Sequence, residues 1–328
     1  MPSVLLIGAT GLIGTHLAAD IKRSHPEWPL TAFYRNRAAD EYFKSTAHVD
    51  RIVHGSFSDT ELVRSLSKEH DIVINAASSF DADLINLIIS GMEDRPSTSS
   101  KGTLIHLSGT GNFIDYGTTG NFNPESKVWN DANEEDIKLI NKDMFNGPTD
   151  VPVLEAGQRG KITTYIVCLA VTSGQSAFNP TANLGVGYNI FVSLAKGLGF
   201  VPYVGDGTGV VSTVHVLDAV PFITKIVGVA GTQEPQGSAY SRYYILHGER
   251  LQWKDFSTAL AKVLYTKGIV SSPEPKKISM DEAGVGEVKH LIAANMLVKG
   301  DRAAKLGFKP VQPSMLVSMQ KDLGEHVF

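Results

Sequence analysis

The stretch Val4-Leu5-Leu6-Ile7-Gly8-Ala9-Thr10-Gly11-Leu12-Ile13-Gly14 decides the fold. Four apolar residues read as a buried strand, three glycines three residues apart make the turn, and Leu12 to Ile21 continue as a helix. A glycine-spaced turn between a strand and a helix is a cradle for a diphosphate. Glycine lets the backbone bend tightly and approach the phosphates, while the unpaired amides at the helix start direct partial positive charge toward them.

Outward from that turn, strand and helix patterns alternate. Leu30 to Tyr34, Arg51 to His54, Asp71 to Asn75, Thr103 to Leu107 and Lys161 to Leu169 read as further strands. Between them, a short polar helix is predicted around Ala38 to Ser45. Asp59 is placed to cap a helix carrying Leu62, Val63 and Leu66, and Leu84, Leu87, Ile88 and Met92 recur at helical spacing. Acidic Glu134, Glu135 and Asp136 favour a helix start, and Asp150 to Gly157 reads as a helix with Pro152 in its first turn. The pattern predicts an α/β protein with a doubly wound parallel sheet covered on both faces. Residues 1–175 form the dinucleotide domain in this reading, and 176–328 form mainly a smaller α/β substrate lobe, with 205–230 returning to the main sheet. In that lobe Tyr188 to Leu198 reads as helix and Val210 to Val216 as strand. Asp218 is the expected cap of the next helix, with Pro221 in its first turn. Trp253, Phe256, Leu260, Val263 and Leu264 make a core-facing helical stripe.

Composition excludes several classes. The 328 residues carry a net charge of -4, which gives no electrostatic footprint for nucleic acid. One cysteine, Cys168, excludes an internal disulfide and a cysteine-based zinc site, and its apolar neighbours predict a buried strand thiol. No metal is expected, since the ten histidines show no ligand spacing. No apolar run reaches the roughly 18 residues of a membrane span, and the strand starts too early for a signal peptide, so the expectation is a cytoplasmic protein.

Taken together, the motifs resemble the extended short-chain dehydrogenase/reductase family. The matching stretches are Gly8 to Gly14, Asn75-Ala76-Ala77-Ser78, Leu107-Ser108-Gly109-Thr110, Val204-Gly205-Asp206-Gly207 and Val214-His215-Val216-Leu217-Asp218. The resemblance covers most of the chain. It implies a Rossmann sheet, an epimerase-like distal lobe and a nicotinamide cofactor held by Gly8, Thr10, Gly11, Leu12, Ile13, Gly14, Ala76, Ala77 and Ser78. Ser56 and Phe57 match the family's adenine-contacting place, with Ser56 where an Asp is usual. After the second strand, where an acidic residue would hold the NAD ribose, the chain has Arg35-Asn36-Arg37. A guanidinium binds a 2′-phosphate that a carboxylate would repel, so Arg35 and Arg37 point to NADP(H).

At the chemical step the chain departs from the family. Reductases of this kind use a tyrosine with a lysine four residues on, since a phenol with a pKa near 10 needs a nearby cation to give up its proton at neutral pH. None of the ten tyrosines has lysine at that position, and the expected place falls within Lys142-Asp143-Met144-Phe145-Asn146-Gly147. Candidate catalytic groups are then Ser108 and Thr110 as carbonyl-polarising hydroxyls, Tyr116 on the glycine-rich loop as a phenol and Lys142 as a cation or acid. Tyr188 and Asn189 are the candidate substrate-pocket residues. The expected activity is NADP(H)-dependent oxidoreduction of a small, largely apolar carbonyl or conjugated substrate. Two alternatives stand beside it: a cofactor-binding sensor without turnover, and non-redox cyclisation or isomerisation. A homodimer through the helix over 81–95 stays open.

Overall fold

A computed structural model describes residues 1–96, 100–179, 184–324 and 326. The chain starts as β1 (Val4–Ile7), α1 (Leu12–Ser24), β2 (Leu30–Tyr34), β3 (Arg51–His54), α2 (Thr60–Glu69), β4 (Ile72–Asn75), α3 (Ala82–Glu93) and β5 (Thr103–Gly109). It continues through β6 (Trp129–Asn130), α4 (Glu134–Lys138), α5 (Gly147–Arg159), β7 (Thr163–Leu169), β8 (Val171–Ser173), α6 (Val186–Leu198), β9 (Pro202–Val204), β10 (Val210–His215) and α7 (Val216–Thr232). It ends with β11 (Tyr243–Leu246), β12 (Glu249–Gln252), α8 (Trp253–Thr266), β13 (Lys276–Ile278), β14 (Val298–Lys299), α9 (Asp301–Lys305) and α10 (Met315–Gly324).

Seven strands form one parallel sheet in the order β11-β7-β5-β4-β1-β2-β3. Both faces of every central strand are apolar because both are covered. Along β1, Val4 and Leu6 face the core shared with α1 and α7, while Leu5 and Ile7 face the core of the opposite side. Helices α1 and α7 pack together on the first face, and α2, α3 and α5 on the second. The strand order reverses between β1 and β4, which opens a crevice at their carboxyl ends, beside the glycine turn.

The distal lobe has its own core. Tyr188, Phe191, Trp253 and Phe256 stack within it, with Phe191 and Phe256 ring centres 4.7 Å apart. Trp253 donates its indole N–H to the Ala294 carbonyl at 3.0 Å. The helical stripe from Trp253 to Leu264 is therefore core, as its spacing predicts. Cys168 is fully buried in β7, and burial pushes its thiol pKa well up. No described helix is long and apolar enough to cross a membrane.

Several local expectations are corrected. The segment 205–230 does not return to the main sheet as a strand: β10 joins a three-stranded sheet with β12 and β8, and the seventh main-sheet strand is β11. The segment comes back to the main sheet through α7, which packs against its face beside α1. Helix α7 is capped by the His215 side chain, whose Nδ1 accepts from Leu217 N at 3.1 Å. The Asp218 carboxylate accepts instead from Val311 N and Gln312 N, tying the C-terminal segment to the helix. Pro221 and Pro152 lie inside their helices rather than in the first turn, and Pro148 takes the first-turn place in α5. Asp59 bonds the Ser56 amide at 2.6 Å and leaves α2 without a side-chain cap. The short polar helix expected around 38–45 is split into a 3-10 turn, Arg37–Ala39, and a π-helical turn, Tyr42–Thr46.

A methyl at Gly14 would meet the Gly8 carbonyl oxygen at 2.3 Å and the Ala9 oxygen at 2.7 Å. Gly14→Ala is expected to lower stability by about 1–3 kcal/mol, the range for a forced contact in a packed site. Urea unfolding followed by fluorescence checks this, and an unchanged midpoint would show that the strand-to-helix approach is slack.

Candidate functional site

The turn after β1 is built from backbone contacts. Gly8 has φ 83°, and a Cβ there would lie 2.5 Å from the Ala77 backbone, so the turn sits directly on the residues following β4. Gly11 N donates to Gly8 O at 3.1 Å and Gly11 caps α1 with no side-chain bond. The first amides of α1 therefore have no capping side chain, and no acidic residue sits in its first turn. Free amides and a glycine-lined approach are what a dinucleotide diphosphate needs, so the chain's own geometry fits such a cofactor.

From this turn a cavity of about 410 Å³ runs along the carboxyl ends of β4, β5 and β7 toward the distal lobe. Gly11, Leu12 and Ile13 line one end together with Ala76, Ala77 and Ser78. Phe80, Phe145, Leu169, Val171, Leu184, Ile190, Leu291 and Met296 make the rest largely hydrocarbon. Among the described residues none of the lining side chains is ionisable. Its polar side chains come chiefly from Ser108 and Thr110 at the end of β5, Asn146 before α5, and Thr172 after β7.

Ser108 is 4% exposed and its Oγ makes no hydrogen bond among the described residues. A buried hydroxyl left without a partner costs about 1–3 kcal/mol, which a bound polar group would recover. Asn146 is 1% exposed, and its Nδ2 donates to Ser79 O at 3.1 Å. Its Oδ1 would lie 3.6 Å from a Cβ on Gly109 and 2.5 Å from one on Gly111, so the amide rests against the end of β5 where only glycines admit it.

Behind this wall lies a buried polar group centred on Asp150, which is fully buried. Asn112 Nδ2 donates to Asp150 Oδ2 at 2.8 Å, and the Tyr243 hydroxyl donates to the same oxygen at 3.0 Å. His106 Nδ1 receives Asn75 Nδ2 at 3.1 Å, which turns its Nε2 toward Asp150 Oδ1 at 3.4 Å. Since Asn112 gives its NH2 to the carboxylate, its Oδ1 is left to accept Asn146 N–H at 2.8 Å. Burial, with the Asp150 charge next, holds the Tyr243 phenol pKa far above its ordinary value.

The other expected site residues lie elsewhere. Tyr116 is 41% exposed, donates to the Glu287 carboxylate and packs edge-on to His290 at 4.9 Å, outside the cavity wall. Burial and that carboxylate raise its phenol pKa, the wrong direction for a proton donor at neutral pH. Lys142 is exposed and does not line the cavity. Tyr188 is buried in the distal core against Phe256, and Asn189 bonds the Leu184 carbonyl at 3.1 Å; their helix lines the cavity through Val186, Gly187 and Ile190 instead. Arg35 and Arg37 are exposed just past β2, and their guanidinium groups make no hydrogen bond or ion pair among the described residues. The next carboxylate along the chain, Asp40, is occupied by the Tyr34 hydroxyl at 3.0 Å and His54 at 3.2 Å. Ser56 and Phe57 follow β3, with Phe57 6.3 Å from the Phe33 ring.

Sequence reading missed Phe80, Phe145, Asn146, Asn112 and Asp150. Asn146 lies in the stretch where the family's tyrosine and lysine would stand, and an asparagine there carries no family signal. The available signal was Asn146-Gly147-Pro148, a helix start three residues earlier than expected. The described residues hold no group of three or more His, Cys, Asp or Glu placed to bind a metal ion.

The comparisons with known proteins place this geometry. Residues 8–98 match the NAD(P)H-binding family. The whole chain has the fold of extended short-chain dehydrogenase/reductase and epimerase–dehydratase structures. It superposes with a TM-score of 0.67 on the DesIV double mutant, a dTDP-glucose 4,6-dehydratase from Streptomyces venezuelae with NAD bound, at 17% identity over 98% of this chain and 96% of that one. It superposes with a TM-score of 0.61 on UDP-glucuronic acid 4-epimerase from Bacillus cereus, at 10% identity over 98% of each chain. In sequence it is 24% identical to the oxidase ucsJ of Acremonium sp over 97% of this chain and 95% of that relative.

If the buried Asp150 group fixes the cavity wall, Tyr243→Phe leaves the carboxylate one donor short and is expected to destabilise the protein by about 1–2 kcal/mol. Thermal unfolding checks this; an unchanged Tm would mean the phenol is not an essential partner.

Proposed function

We propose that the protein is an NADP(H)-dependent oxidoreductase that reduces a small, largely apolar carbonyl or conjugated substrate. The observation that carries this reading is the uncharged cavity of about 410 Å³ that begins at the diphosphate turn and contains one buried, unpartnered hydroxyl, Ser108. A sugar nucleotide brings its own diphosphate, and no described side chain of this wall offers a cation for it. The sugar-nucleotide chemistry of the structural neighbours is therefore not carried over.

The amides of Leu12 to Gly14 would hold the cofactor diphosphate above the Gly8–Gly11 turn, Ala76 to Ser78 would run beside it, and Arg35, with Arg37, would receive the 2′-phosphate. When bound, the reduced cofactor supplies a hydride to the electrophilic carbon, and the π pair of the substrate moves onto its oxygen. The chain's part is to place that carbon, to donate the Ser108 Oγ–H to the oxygen as charge develops, and to keep the wall dry so the bond is strong. Among the described residues the wall has no ionisable side chain to give up a proton, so the oxygen or the α-carbon would take its proton from solvent water as the product leaves the dry wall. The uncharged wall also favours the second reading, a cofactor-binding sensor that does not turn over.

Two experiments decide between them. Consumption of NADPH, followed by nicotinamide absorbance across a panel of aldehydes, ketones and enones, is expected with the most apolar members. Binding of NADPH with no consumption by any of them would favour the sensor. For the cofactor, Arg35→Asp is expected to weaken NADPH relative to NADH by about tenfold or more, the loss of one charge-assisted hydrogen bond. An unchanged ratio would remove Arg35 from phosphate recognition.

A further inference from the structure

We propose that Asn146 is the second group that grips the substrate oxygen beside Ser108, and that Asp150 is a positioning residue that sets Asn146 through Asn112. The proposal rests on the reading of this cavity as a carbonyl-binding site. It starts from two residues that have no other evident task. Ser108 carries a buried hydroxyl without a partner, and Asn146, almost fully buried in the same wall, spends one of its two N–H groups on Ser79 O. The backbone against which Asn146 lies is Gly109 to Gly111, the residues that directly follow Ser108, so both polar groups stand at the end of one strand.

The link to Asp150 follows from hydrogen-bond polarity. A carboxylate accepts only, so Asp150 commits the NH2 of Asn112, and that fixes the Asn112 oxygen on Asn146 N–H. The same bond restrains the residue that starts α5. Tyr243 is the second donor to the carboxylate, while His106 Nε2 stands 3.4 Å from Asp150 Oδ1 without a hydrogen bond, and neither residue lines the cavity wall. A buried charge thus orients a neutral amide at the wall and contributes no proton. The substrate class this fits is one whose polar end is a single carbonyl oxygen on an apolar body, with no acid or phosphate.

The test uses trans-cinnamaldehyde as probe, bound to the intact protein loaded with NADP+, so that no reduction occurs. The carbonyl stretch of the bound aldehyde, read by isotope-edited infrared difference spectroscopy, is expected to shift to lower frequency. Ser108→Ala and Asn146→Leu should each lose part of the shift and each weaken aldehyde binding about tenfold. Asp150→Asn should lose only the part belonging to Asn146, with no further loss in the double variant. If Asp150→Asn fails to fold, Asn112→Ser, which removes the acceptor for Asn146 N–H, tests the same link. An unchanged stretch in Asn146→Leu, no shift in the wild-type protein, or no saturable binding of the aldehyde would each overturn the proposal. A shift that behaves as expected in a protein that never consumes NADPH would uphold it while overturning the reductase reading. NADPH turnover with a stretch indifferent to Asn146 would do the reverse.

Discussion

The structure depends on one contact between backbones: the turn at Gly8 lying on Ala77, with Gly14 folded back on the Gly8 carbonyl. Neither approach leaves room for a Cβ. This contact fixes the direction in which α1 leaves the sheet, and it places the free end of that helix over the crevice between β1 and β4. The cavity, the strand ends that wall it and the distal lobe that closes it are all positioned relative to that helix start. The interaction itself is modest, being van der Waals contact and a few hydrogen bonds, but it cannot be widened by repacking side chains because none is involved.

The parallel sheet was legible because its inner strands are buried on both faces, which makes short, dense apolar runs separated by helical spacing. Val4 to Ile7, Leu30 to Tyr34 and Arg51 to His54 appear in the structure with the limits the pattern suggests. The glycine turn was legible for a different reason, since only glycine tolerates φ 83° and a neighbour at 2.5 Å. What failed was local competition among polar side chains. Asp59 and Asp218 both precede or open helices, where capping is the default expectation, yet each satisfies an amide outside its helix instead. His215, the last residue of β10, does the capping of α7.

The cavity wall was legible only in part. Ser108 and Thr110 could be found because they end a strand that points at the turn. Asn146, Phe80 and Phe145 could not, since they reach the cavity through a loop and a helix start whose position no periodicity sets. Tyr116 and Lys142 stand out by residue type and Tyr188 by the helix it opens, and tertiary structure gives each another role: a contact with Glu287, an exposed surface position and a place in the distal core. Asp150 illustrates the reverse case. It stands in a sequence that reads as an ordinary acidic helix turn, yet Asn112, His106 and Tyr243, from as far as 93 residues away, converge on it.

A wall built almost wholly of hydrocarbon has a consequence for selectivity. Such a surface separates ligands differing by one methylene by only about 1–3 kcal/mol, so it sorts loosely by length and girth. A buried hydroxyl that must find a partner sorts far more sharply, because a ligand without the matching atom leaves it stranded. The body of the cavity is therefore tolerant and its Ser108 end is strict. Such a site would take a range of carbon skeletons, provided each presents its one polar atom at the strand end.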